Sequence, residues 1–280
     1  MHYQDRLQVG AAQINATLGR VDTNLEHHLE VIAEARARRL ELLVFPELSL
    51  TGYGLGGGVM QVAMPLEDPR LARLARAAGE MQTVVGFVEE ASPGEYYNAL
   101  AILQDGELVA VHRKLNLPTY GGLEEGKWFA HGSRLTEVTV RPGWSATQLI
   151  CADLWNPALV HAALLPRPTV LCAPINSASG IVSEEFSNEQ NWALNLRFYA
   201  MTYGTPVIMA NRYGPEGASH FWGGSRILGP RGELLAEAEG REMLITAELT
   251  RIAIARARFE LPTHRDADTP LIRELMAGYR

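Results

Sequence analysis

The strongest constraint on this chain is a run of short apolar strands, most followed by a helical stretch, interrupted twice by hairpin signals. Leu7 to Ile14 reads as a strand, and an amphipathic helix with an acidic first turn and an arginine-rich last turn runs from Asp22 to Arg39. Glu41 to Phe45 is a short apolar strand, followed by a glycine-rich loop, a helix over Asp68 to Glu80 and a strand over Gln82 to Glu89. Tyr97 to Leu103 and Glu107 to His112 flank Asp105-Gly106, a two-residue hairpin signal. Beyond a long loop from Leu115 to Gly132, a strand over Ala146 to Ile150 leads into Cys151 and a helix over Pro157 to Leu165. A strand at Thr169 to Ala173, a helix at Glu184 to Tyr203 and a strand at Pro206 to Asn211 repeat the pattern. Ser225 to Leu228 and Glu233 to Ala236 bracket Gly229 to Gly232 as a second hairpin, with Met243 to Glu248 expected to pair beside it. Crossover helices mixed with hairpins predict an α/β fold with mixed sheets and helices outside, not a purely parallel sheet. With 47% hydrophobic and 20% charged residues and no linker, repeat or composition break, residues 1–280 are expected to form one domain.

Several functions are excluded on charge and hydropathy. A net charge of −7 leaves no basic footprint for nucleic acid or an anionic membrane, so the expected partner is a small molecule. Apolar runs such as Val170 to Ala173 and Pro206 to Ala210 are far shorter than the roughly 20 residues that span a bilayer. The first six residues have no export signature, so the chain is expected in the cytoplasm. Cys151 and Cys172 are read as reduced thiols, and the dispersed histidines and cysteines provide no metal-ligand set, so neither metal nor cofactor is expected. The loop Gly52-Tyr53-Gly54-Leu55-Gly56-Gly57 superficially matches a dinucleotide fingerprint but fails its context, because Val59 to Pro65 has no helical stripe.

Chemistry is signalled where apolar strands end in reactive residues. Leu42-Leu43-Val44-Phe45-Pro46-Glu47 puts a carboxylate just past a buried strand, where desolvation should raise its pKa and make it a base. Lys114, one of only two lysines beside Lys127, directly follows a hairpin strand. Cys151 lies between a strand and a helix start, where a helix N-terminus and a nearby cation should favour thiolate. Each has an ordinary reading: a surface cap, a solvated lysine, a small core residue. Together they supply a base, a cation and a nucleophile, the parts that acyl transfer requires. His161 lies too far along a helix to pair with Cys151 and is read as structural.

At these residues the chain resembles a known family. Phe45-Pro46-Glu47-Leu48-Ser49-Leu50-Thr51-Gly52-Tyr53, Arg113-Lys114-Leu115-Asn116-Leu117-Pro118 and Ile150-Cys151-Ala152-Asp153-Leu154-Trp155-Asn156-Pro157 are similar to the Glu, Lys and Cys motifs of the nitrilase superfamily of carbon-nitrogen hydrolases. The likeness runs from Leu7 through Phe221-Trp222-Gly223-Gly224-Ser225 and the hairpin after it. Leu117-Pro118-Thr119-Tyr120-Gly121 and Glu124-Glu125-Gly126-Lys127-Trp128-Phe129 are most similar to the glutaminase domain of glutamine-dependent NAD synthetases, and the chain stops where that domain stops. The resemblance implies a four-layer α-β-β-α sandwich with two mixed sheets and a free-standing thiol amidase. That enzyme would cleave a small non-peptide carboxamide to a carboxylic acid and ammonia through a Cys151 thioester. It implies Glu47 as general base, Lys114 as stabiliser of the tetrahedral intermediate with the Ala152 backbone N–H, Cys151 as nucleophile, and a second glutamate, Glu125 by motif position, with Glu124 adjacent. Tyr53, Tyr120, Ala152, Trp155, Asn176 and Ser177 are candidate substrate contacts, with Trp128, Ala178, Ser179, Glu184 and Phe186 behind them. Two departures stand out: Ala152 replaces the glutamate usual in those glutaminases, and Gly180 a frequent proline, so glutamine selectivity does not follow. Trp-Glu, typical after the cysteine of true nitrilases, is absent. The alternatives are an N-carbamoyl amine hydrolase or a nitrilase of the same fold, and a catalytically silent assembly module. Pairing through helices that flank the nucleophile implies a homodimer or higher homo-oligomer.

Overall fold

The computed structural model describes residues 5–278. In chain order the elements are β1 (Arg6–Gln13), α1 (Val21–Ala37), β2 (Leu42–Val44), α2 (Val59–Val62), α3 (Pro69–Ala78), β3 (Gln82–Ser92), β4 (Glu95–Gln104), β5 (Glu107–Arg113), β6 (Glu137–Arg141), β7 (Trp144–Gln148) and α4 (Pro157–Leu164). Then follow β8 (Val170–Ile175), α5 (Asn188–Tyr203), β9 (Val207–Asn211), β10 (Tyr213–Glu216), β11 (Ser219–Trp222), β12 (Arg226–Leu228), β13 (Leu234–Glu237), β14 (Met243–Thr250), α6 (Arg251–Glu260), α7 (Thr263–Asp266) and α8 (Thr269–Ala277). Two mixed six-stranded sheets result, ordered β14-β1-β2-β3-β4-β5 and β13-β12-β9-β8-β7-β6, with β10 and β11 as a separate hairpin. In each, a parallel centre is flanked by antiparallel strands: β1, β2 and β3 run parallel, as do β7, β8 and β9.

Strand alternation builds the layers. In β2, Leu42 and Val44 face the second sheet while Leu43 faces the helices; in β4, Leu100 and Ile102 point one way and Ala99, Ala101 and Leu103 the other. Facing Leu42 and Val44 across the central core are Val170 and Cys172 of β8 and Ile208 and Ala210 of β9. The outer face of the first sheet packs on α1 and α3 through Ile32, Leu71 and Leu74. That of the second packs on α4 and α5 through Val160, Leu164 and Leu196. The result is an α-β-β-α sandwich in which central strands are apolar on both sides, which is why they read as continuous hydrophobic runs.

Local signals set the helix ends. Asp68 accepts from Arg70 N ahead of Pro69, Asn156 accepts from Ala158 N and Leu159 N ahead of Pro157, and Ser187 caps α5. Ser187 also corrects an expectation, because α5 starts at Asn188 and residues 184–187 form the loop before it. The Asp105-Gly106 turn has both residues at positive φ, 54° and 80°, as a tight hairpin requires. Three further differences stand out. Met243–Thr250 does not join the second hairpin but crosses to the other sheet and pairs antiparallel with β1, burying Ile245 and Leu249 in the central core. Residues 59–62, read as lacking helical pattern, make one helical turn, and the short strands β6, β10 and β11 were not legible. No helix among the described residues is long and apolar enough to cross a membrane.

Candidate active site

Each reactive residue sits just past the end of a strand and is held there by its backbone. After β2 the chain makes a turn pinned by Phe45 N to Val84 O at 2.9 Å and Leu50 N to Gly86 O at 2.9 Å. That turn lies so close to β3 that a Cβ at Gly86 would come 2.3 Å from Leu48 N and 2.5 Å from Pro46 O, so only glycine fits. Leu48, following Glu47, has φ 48°, and Cys151 has φ 44°; both are left-handed, a conformation that costs a non-glycine residue free energy. Lys114 leaves β5 with its backbone N–H on Asn98 O at 2.8 Å. Cys151 opens a 3-10 turn, Cys151–Trp155, and α4 begins at Pro157, where the sequence places it. Asp153, fully buried, ties these segments together. It accepts from Ile150 N at 2.9 Å, from Leu115 N at 3.0 Å and from Asn116 N at 2.7 Å, while Asn116 donates to Ala152 O at 2.8 Å.

At the centre, Lys114 Nζ donates to Glu47 Oε1 at 2.6 Å and Glu125 Oε1 at 2.8 Å. Asn98 Nδ2 donates to Glu47 Oε1 at 2.7 Å and reaches Glu125 Oε2 at 3.5 Å; the Tyr53 hydroxyl donates to Glu125 Oε1 at 2.6 Å. Glu47 and Lys114 are fully buried and Glu125 is 4% exposed. Of the two adjacent glutamates, therefore, Glu125 is the inward one, while Glu124 is exposed and pairs with Lys127. Burial raises the Glu47 carboxyl, Lys114 opposes that rise and the Glu125 charge adds to it. For Lys114, burial pushes the ammonium down, but the two carboxylates outweigh it and hold its pKa well above that of an ordinary lysine. Glu47 Oε2 is buried with no hydrogen-bond partner among the described residues, leaving a lone pair free to accept a proton.

Cys151 corrects the thiolate expectation. Although it keeps some exposure at a cavity wall, desolvation and then the Glu47 charge push its thiol well above the ordinary range, and the opposing pull of Lys114 does not overcome them. Resting Cys151 is a thiol, so reactivity requires a base beside it. Cys172 is a separate free thiol in the central core, pushed up to about 12 by burial.

Cys151 opens into a cavity of about 260 Å³. Tyr53, Tyr120, Ala152, Trp155, Asn176 and Ser177, all expected there, line it, as does Phe186. Trp128 instead lines a neighbouring cavity under the 54–56 loop, Ala178 a third, and Glu184 neither. Ser179 is occupied by a backbone bond to His220 O. His161 contacts the Tyr203 hydroxyl at 2.7 Å, in keeping with a structural role. Among the described residues no group of three or more His, Cys, Asp or Glu is arranged to hold a metal. Sequence reasoning missed Asn98, although a lone asparagine within Tyr97-Asn98-Ala99-Leu100-Ala101-Ile102 is a signal, since a buried amide needs a polar partner. It also missed Asn188 and Trp192, which line the cavity from the first turns of α5. Their convergence on Ser177 Oγ, at 3.0 and 3.1 Å, is tertiary and leaves no local trace.

Residues 8–259 match the profile of the family described as carbon-nitrogen hydrolase. Glutamine-dependent NAD(+) synthetase of Thermotoga maritima is 30% identical over 87% of this chain and 42% of its own length. This chain thus spans less than half of the synthetases it matches. N-carbamoylputrescine amidase of Arabidopsis thaliana is 27% identical over 91% of both chains. Among solved structures, a double mutant of the amidase from Nesterenkonia sp. AN1 in complex with acrylamide superposes with a TM-score of 0.83 at 23% identity, covering 98% of this chain and 99% of that one.

Proposed function

We propose that this chain, which belongs to the carbon-nitrogen hydrolase family, is a thiol amidase that hydrolyses a small non-peptide carboxamide to a carboxylic acid and ammonia. One observation carries the reading: a buried, partnerless carboxylate oxygen on Glu47 belongs to a Glu-Lys-Glu cluster whose charges act directly on the Cys151 thiol. Glu47 Oε2 takes the thiol proton and the thiolate forms a C–S bond to the amide carbon, moving the carbonyl electrons onto oxygen. Lys114 and the Ala152 N–H stabilise that oxyanion. Glu47 returns the proton to nitrogen as the C–N bond breaks, and ammonia leaves. Water then loses a proton to Glu47 and attacks the thioester; collapse releases the acid, and the thiol is restored. Glu125, held by Tyr53 and Asn98, keeps Lys114 charged and aimed throughout.

The test is ammonia release from a panel of amides together with intact-mass detection of an acyl adduct on Cys151. Cys151→Ala is expected to abolish both, and a folded Cys151→Ala variant retaining full rate ends the proposal. A second reading, an N-carbamoyl amine hydrolase, is favoured by the near full-length similarity to N-carbamoylputrescine amidases; carbon dioxide appearing with the ammonia would select it. Two free cysteines suit a reducing cytoplasmic compartment. Exposed Leu194, Phe198 and Met201 on α5, with Leu271, Ile272 and Met276 on α8, support a homo-oligomer, which sedimentation tests.

A further inference from the structure

We infer that the acyl group this site accepts is uncharged and largely apolar, in contrast to the zwitterionic glutamine and cationic N-carbamoylputrescine named for its relatives; the inference rests on the amidase reading above. Among the described residues, no Asp, Glu, Lys, Arg or His lines the cavity that holds Cys151. Ile181, Val182, Trp155, Phe186 and Trp192 are among the residues that line it. Lys114 is held by Glu47 and Glu125, and Arg212 by Glu216, which also accepts from Tyr53 N and Gly54 N.

The polar wall atoms point the same way. Ser177 Oγ receives three N–H groups, from Asn188 at 3.0 Å, Trp192 at 3.1 Å and Trp222 at 3.2 Å, so those donors are consumed internally. Asn176 Nδ2 donates to Glu47 O at 2.9 Å. Asn176 Oδ1 and Asn188 Oδ1, both acceptors, are buried with no hydrogen-bond partner among the described residues. Acceptors suit the N–H groups of a carboxamide and oppose a carboxylate, which would also sit near a cluster of two glutamates and one lysine. An ammonium would find both carboxylates of that cluster already paired with Lys114. Two amide oxygens and the aromatic walls return only part of its hydration, and Trp155 packs edge-to-face on both Trp192, at 4.8 Å between centroids, and Phe186, at 5.9 Å.

The test is kcat/KM for three amides of matched size, butyramide (uncharged), succinamate (anionic) and 4-aminobutanamide (cationic), on the intact chain and on Val182→Arg. Butyramide is expected to exceed each charged amide by at least about 100-fold, because a buried charge without a partner is strongly disfavoured. Val182→Arg is expected to raise the succinamate-to-butyramide ratio at least about tenfold by supplying that partner. Comparable or better turnover of either charged amide by the unaltered chain overturns the inference while leaving the amidase reading intact. So does a ratio that Val182→Arg does not move. No turnover of any amide, with no acyl adduct on Cys151, overturns both.

Discussion

Replacing Lys114 with methionine, which keeps an unbranched side chain one atom shorter and removes its charge, tests the electrostatic design of the site directly. Nζ lies within 2.8 Å of one oxygen from each of two carboxylates, Glu47 and Glu125, all three residues being essentially sealed from water. Breaking a buried ion pair by deleting one partner costs about 3–5 kcal/mol, because the remaining charge is stranded. At about 2–4 °C per kcal/mol, that is a melting temperature lowered by roughly 6–20 °C. The deficit must also depend on pH in a definite direction. Without the ammonium, the Glu47 carboxyl, already raised by burial, loses the charge that opposes that rise, so the penalty is smallest below about pH 4.3, where that carboxyl is protonated in folded and unfolded chains alike. It grows as pH rises through the elevated folded value. A second substitution, Glu47→Gln, removes one stranded charge and is expected to recover at least about 1 kcal/mol in a double-mutant cycle. Differential scanning calorimetry between pH 5 and pH 8 reads all three quantities. Equal stability of Lys114→Met and the parent at pH 8, or a deficit that does not shrink toward pH 5, would refute the argument that Nζ is the counter-charge of both glutamates.

Other substitutions probe the base, its support and the link to the nucleophile. Glu47→Gln should lower amide turnover about 10²–10⁴-fold and slow iodoacetamide labelling of Cys151, since burial keeps that sulfur protonated without a base; labelling at the parent rate would contradict it. Because the Glu47 carboxyl is raised, its basic form is lost at higher pH than an ordinary glutamate's, and the acid limb of kcat/KM is expected above pH 4.5. A limb at or below that value counts against Glu47 as the base. Gly86→Ala drives a methyl group into Pro46 O and Leu48 N, so it should displace the Glu47 turn, costing about 1–3 kcal/mol and most of the activity; a fully active variant would show that the contact is not needed. Asp153→Ala removes the acceptor of three backbone N–H groups, with an expected loss of about 1.5–3 kcal/mol by chemical denaturation and a fall in turnover; unchanged turnover would separate Asp153 from the site's geometry.

How much of this was legible in the sequence divides along physical lines. The strand that carries Glu47 declared itself because β2 is apolar on both faces and the residue that breaks such a run lies at its end, and Cys151 stood out because it follows the buried apolar pair Leu149-Ile150. Lys114 stood out because lysine is rare here. Choosing Glu125 over Glu124 from residues alone was not possible: the side chains are chemically identical, and a one-residue shift in a 3-10 turn decides which faces Lys114 and which faces solvent. The protonation state of Cys151 was read wrongly because sequence suggests neighbours but not desolvation, and here desolvation is the larger effect. β14 was misassigned for a related reason. Met243-Leu244-Ile245 is equally apolar beside either sheet, and its pairing with β1 depends on closing the central core around Leu7, Val9 and Ala11.

The division of labour between the sheets carries a consequence for how the site tolerates change. Glu47, Asn98 and Lys114 all come from the first sheet, β2, β4 and β5, and their mutual hydrogen bonds are fixed by that sheet's own register. Cys151 comes from β7 in the second sheet, so its distance from the base is set by the packing of one sheet on the other and by Asp153, which accepts from backbone on both sides of the gap. The charged cluster is therefore robust to disturbances of the inter-sheet core that would misplace the sulfur. A core is close-packed and transmits small volume changes as displacements, and a displacement of about 1 Å at reacting atoms is enough to cost roughly 10²-fold in rate. It follows that substitutions at Ala210 or Cys172, members of the core cluster on which Cys151 packs, act on the nucleophile's placement before they act on the acid-base pair.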